Sequence, residues 1–98
     1  GDRRTTWFRR GGQMKPEAVR MITADTQVPK DQFNALLAML MYVAGYPCVK
    51  IQPELKMGDL KLRNLMDKAI WFYRNDLGFR WAYQRGAARI TELKQTWT

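Results

Sequence analysis

The sequence predicts an all-α protein: a compact bundle of about four helices, with one short irregular or extended connection and a mobile basic N-terminal arm. Three observations predict it. Apolar residues recur at the 3.6-residue period through two long windows, residues 60–75 and 79–95. A third window, 33–43, is apolar on nearly every face, as a helix enclosed by others must be. Gly45 and Gly78 fall just outside the ends of these windows, and no proline falls inside one. A chain of 98 residues is one domain by length. We divide it into a flexible basic arm, 1–13, and a single helical domain, 14–98.

The arm has no amphipathic period and contains Gly11-Gly12. The first helix is expected over 15–24. Pro16 suits its first turn and Glu17 the positive end of its dipole, with Met14, Val19 and Ile22 facing inward. The second helix opens at Pro29 and runs to about Ala44, where Gly45 and then Pro47 stop it. This is the central buried helix. Between Tyr46 and Gly58, Pro47 and Pro53 bracket a stretch with no helical period, read as a connecting loop.

The third helix covers 60–75, with Asp59 as its cap and Gly78 closing it. Leu62, Leu65, Met66, Ala69, Phe72 and Tyr73 share one face. The fourth covers 79–95, with Phe79, Ala82, Tyr83, Gly86, Ile90 and Leu93 in its apolar stripe. The segment 79–86 also alternates like a strand, but only the helical period extends to Leu93. Gly86 lies inside the stripe, where glycine costs about 1 kcal/mol against alanine. Its presence there predicts a close helix crossing.

Charge is the strongest global signal. Seventeen basic residues face nine acidic ones, for a net charge of +8. Such a surface attracts polyanions. The single cysteine, Cys48, excludes an internal disulfide and fits a reducing, intracellular compartment, cytoplasm or nucleus. It reads as a small packed residue. The most apolar stretch is far short of the ~20 residues that span a bilayer, and the helical stripes read as core, which argues against a membrane partner. There is no histidine, so the commonest general base and metal ligand is missing. The acids are scattered and no phosphate-binding glycine loop is present. These features argue against an enzyme and against any cofactor or metal site. Gly11-Gly12-Gln13 matches the catalytic tripeptide of peptide-chain release factors, but the "MKPEA" that follows departs from that family's pattern, and we set the match aside.

The informative pattern lies opposite the apolar stripes. On the third helix, Trp71 falls among Lys68 and Arg74, with Lys61 and Arg63 flanking. On the fourth, Trp81 falls beside Arg85, with Arg80 and Arg89 at the edges. The arm repeats the theme, with Trp7 beside Arg4, Arg9 and Arg10. Arginine and lysine neutralise phosphates, and an indole stacks on an unpaired base. The expected function is therefore nucleic-acid binding, with RNA or single strands ahead of duplex. This would suit a viral nucleoprotein-, capsid- or accessory-type module that also self-associates. The alternative is a helical protein–protein interaction or oligomerisation module with no direct nucleic-acid contact. There Trp71 and Trp81 would anchor a homo-oligomer or a protein partner.

Overall fold

A computed structural model describes residues 7–9 and 12–97, the last by its backbone alone. Among the described residues there are five α-helices and no strands. They are α1 (Pro16–Asp25), α2 (Phe33–Val43), α3 (Cys48–Leu55), α4 (Asp59–Asn75) and α5 (Leu77–Trp97). A 3-10 turn at Lys30–Gln32 leads into α2. The all-α class is as expected, with one helix more.

The centre is α2. Ala35, Leu36, Leu37, Ala38, Leu40 and Met41 are all buried in it, and α1, α3, α4 and α5 pack around it. The expected inward faces are in place. Met14, Val19 and Ile22 are buried, as are Leu62 and Ala69 on α4, and Phe79, Ala82, Ile90 and Leu93 on α5. The segment 79–86 is helical.

Four local readings are corrected. The stretch between Pro47 and Pro53 is α3, not a loop. Pro47 stands at the N-cap, where its missing N–H costs nothing, and Pro53 falls in the last turn, where it removes one bond. Lys56 then closes the helix in the left-handed region at φ 55°. Cys48, the first residue of α3, is exposed rather than packed. Asp59 is the first residue of α4 rather than its cap. It accepts from Arg63 at 3.2 Å, one turn on.

The break between α4 and α5 is the single residue Asp76, not Gly78. Asp76 has extended backbone and its carboxylate accepts the Phe79 N–H at 3.1 Å, an N-cap bond. Its other oxygen accepts from the Gln32 amide at 2.8 Å, which joins the α4–α5 corner to the start of α2.

The expected arm is also revised where it is described. Residues 1–6, 10 and 11 lie outside the described residues. Phe8, however, is only 3% exposed and belongs to the core, and Trp7 packs partly buried against it. The Lys15 N–H donates to the Trp7 carbonyl at 2.7 Å and the Arg9 N–H to that of Gln13 at 2.7 Å, around a turn with Gly12 at φ 88°. The Tyr46 hydroxyl donates to the Met14 carbonyl at 2.7 Å, fastening this turn to the end of α2. A lone aromatic contributes no period, so its place in the core was not readable from spacing.

Candidate nucleic-acid interface

The basic residues divide by what they touch. Three arginines serve helix C-termini, whose last carbonyls lack intrahelical donors and carry partial negative charge. Arg20 donates to the Glu54 carbonyl at 2.7 Å, in the last turn of α3. Arg80 donates through Nε to the Tyr73 carbonyl at 2.9 Å and through Nη2 to that of Arg74 at 3.0 Å, in the last turn of α4. Its guanidinium also lies 5.5 Å from the Tyr73 ring centroid. Arg85 donates to the carbonyl of Thr26, the C-cap of α1, at 2.8 Å. Two more arginines sit in exposed ion pairs within their own helices, Arg63 with Asp59 and Arg89 with Glu92, each at 3.2 Å. Such pairs contribute about 0–1 kcal/mol and open readily.

Lys61, Lys68 and Arg74 are different. All three are exposed on α4, and their side chains make no hydrogen bond or ion pair among the described residues. Lys68 and Arg74 border Trp71, which is 59% exposed, and Lys61 stands about 15 Å nearer the start of the helix. At 100° per residue, Trp71 lies almost opposite the buried Leu62–Ala69 face, with Lys68 on one side and Arg74 on the other. Asp67, one turn before Trp71, places one carboxylate on the same surface. The indole is braced edge-on by Phe72, at 5.8 Å between ring centroids and 75° between planes. Phe72 rests in turn on the buried Phe79 ring at 5.3 Å.

Trp81 is also 59% exposed, on the outer side of α5. Its sequence neighbours Arg80 and Arg85 are turned to backbone carbonyls of α4 and α1. Both indoles stand at the same end of the α4–α5 hairpin. Each is four residues from the Asn75 or Leu77 end of its helix, or about 6 Å along the axis. Of the expected arm residues, Arg9 is exposed and Trp7 is half-buried. Arg4 and Arg10 lie outside the described residues.

The fold and these faces define a small basic all-α domain with two outward tryptophans and, on α4, three exposed cations with no side-chain partner among the described residues. No known protein family, curated protein or solved structure matches the chain. No described helix is long and apolar enough to cross a membrane. No group of three or more Cys, Asp or Glu among the described residues could hold a metal ion.

Proposed function

We propose that the domain binds single-stranded nucleic acid along the outer face of α4. The observation that carries this reading is Trp71 standing exposed between Lys68 and Arg74, with Lys61 further along the helix. An indole left in water at this exposure forgoes about 3 kcal/mol of burial, from ~120–150 Å² at ~25 cal/mol/Å². A base stacked on the ring recovers ~1–3 kcal/mol of that, and the cations beside it meet the flanking phosphates.

Single strands suit this surface better than duplex. The bases of a duplex are already stacked on one another, and a ring standing out from a helix has no unpaired face to meet. Arg63 adds charge at the margin of this face once its exposed ion pair with Asp59 opens, whereas Arg89 stands on α5 beside Asp25 and Thr26 at the end of α1. Arg80 and Arg85 contribute to the field of the protein but hold the fold together with their donors. Fluorescence anisotropy of labelled oligonucleotides tests the reading. A single-stranded 12-mer should bind more tightly than the same sequence as duplex. Equal affinity for both would leave only a non-specific polyanion surface.

A further inference from the structure

A cleft of about 190 Å³ lies between the end of α1 and the middle of α5, lined by Ile22, Asp25, Thr26, Arg85, Gly86 and Arg89. Arg85 and Arg89 stand one turn apart on α5. Arg85 spends one of its N–H donors on the Thr26 carbonyl, at 2.8 Å, which fixes its guanidinium in the wall of the cleft and leaves the others unused. Arg89 likewise keeps donors beyond the one that meets Glu92 at 3.2 Å.

Asp25 is the unusual member. It is the last residue of α1, at the negative end of the helix dipole, where a carboxylate is unfavourable. It is exposed, and its side chain makes no hydrogen bond or ion pair among the described residues, although two guanidiniums line the same cleft. The cleft thus sets a free carboxylate across a gap from free arginine donors, with Ile22 and Gly86 adding no polar side chain between them.

This arrangement selects its occupant. A simple anion would meet Asp25 and the negative end of α1. An amine would meet Arg85 and Arg89. The group that fits is uncharged and carries donors and acceptors side by side. The volume is below the roughly 300–1,000 Å³ of sites that enclose a whole small ligand, so the cleft takes one ring system of a larger one. Among the four bases, guanine alone offers two adjacent donors, N1–H and N2–H, beside two adjacent acceptors, O6 and N7. Arginine donating to O6 and N7 is the commonest specific contact to guanine, and a carboxylate has two oxygens for the donor edge.

We infer that this cleft holds a guanine base of a bound single strand, with Asp25 accepting from N1–H and N2–H, and Arg89, beside the fixed Arg85, donating to O6 and N7. Trp81, 59% exposed, stands one turn before Arg85 on α5, so the next base of the strand has an indole to stack on. The cleft shares no residue with the α4 face. Only the source of the base, a strand rather than a free nucleotide, rests on the single-strand reading.

Anisotropy titrations of the full chain with thymidine 12-mers carrying one central guanine, adenine or hypoxanthine test it. Guanine and adenine are both purines and stack alike, so their ratio reads the edge contacts. The guanine strand should bind about fivefold or more tightly than the adenine strand. Hypoxanthine, which lacks the N2 amino group, should lose much of that advantage. Asp25→Ala and, separately, Arg89→Ala should bring the ratio close to one, while Trp71→Ala should weaken all three strands and keep it. Both cleft positions are exposed, and circular dichroism checks that each variant is folded. In parallel, guanosine monophosphate should shift the amide resonances of Thr26, Arg85 and Arg89 more than adenosine monophosphate does, and Asp25→Ala should abolish the difference. If no strand binds but guanosine monophosphate still gives these shifts, the α4 reading fails and the cleft stands as a site for the free nucleotide. A guanine-to-adenine ratio of one together with equal shifts from the two nucleotides would overturn the inference. So would folded Asp25→Ala and Arg89→Ala proteins that keep the guanine preference.

Discussion

A methyl group added at Gly86 would stand 2.6 Å from Leu40 Cδ1 and 3.1 Å from its Cδ2. This is where α5 crosses the central helix, and Leu40 is fully buried there. The glycine inside the α5 stripe is what allows the two helices to lie so close.

Gly86→Ala is therefore expected to destabilise, although alanine is the better helix former. The helix gains about 1 kcal/mol, while overpacking at a close-packed crossing costs about 1–3 kcal/mol. A net loss of up to about 2 kcal/mol should appear in urea unfolding. In a Leu40→Ala background the clash is gone, and Gly86→Ala should turn neutral or stabilising. The same loss in both backgrounds would show that the crossing is not the cause.

Phe8→Ala should cost about 3–5 kcal/mol, the usual effect of truncating a fully buried phenylalanine. The ring is 3% exposed within the core cluster. Removal of residues 1–13 should lower the melting temperature for the same reason. A truncated chain that melts with the wild type would return this segment to the status of a loose arm.

Tyr46→Phe removes the 2.7 Å bond to the Met14 carbonyl and should cost about 1–2 kcal/mol at neutral pH. Burial raises the Tyr46 hydroxyl pKa above its ordinary value of 10.0, only partly offset by the nearby Arg9 cation. The folded state thus keeps a proton that the unfolded state releases. This stabilisation is complete below pH 10 and is lost as the pH climbs through the folded value. The stability gap between wild type and Tyr46→Phe should narrow in that alkaline window. A gap unchanged by pH would mean that the hydroxyl titrates like a free tyrosine.

Asp76 gives the opposite slope. The Gln32 amide bond, and then the Phe79 N–H, hold its carboxyl below the ordinary 3.8. Its contribution is present above that value and fades as the pH falls through the lowered one. Asp76→Asn keeps a capping oxygen for Phe79 but removes the titration. The variant should show a shallower acid limb in a melting-temperature profile from pH 5 to pH 2. Identical acid limbs would rule Asp76 out as a source of the acid sensitivity.

Periodicity made the core legible. The stripes of α4 and α5 are long enough that Leu62, Ala69, Phe79, Ala82, Ile90 and Leu93 declare themselves by spacing alone. The short α3 did not, because eight residues bracketed by two prolines offer no full stripe. Trp71 and Trp81 were readable as outward residues for the same reason that their opposite faces were readable as core. The commitments of Arg80 and Arg85 were not. Their acceptors are backbone carbonyls, which carry no residue identity, and Thr26 is 59 positions away from Arg85.

The salt dependence of single-strand binding tests the central claim most directly. Three uncommitted cations, Lys61, Lys68 and Arg74, at ~0.7 per phosphate give a slope near −2 for log affinity against log salt. Trp71→Ala should weaken binding by about 1–3 kcal/mol and leave that slope alone, since stacking releases no counterion. Arg74→Ala should flatten the slope by somewhat less than one. Anisotropy titrations at three salt concentrations read both quantities, with circular dichroism confirming the fold of each variant. No binding at low salt, or a folded Trp71→Ala protein that binds like the wild type, would contradict an α4 surface built to hold a single strand.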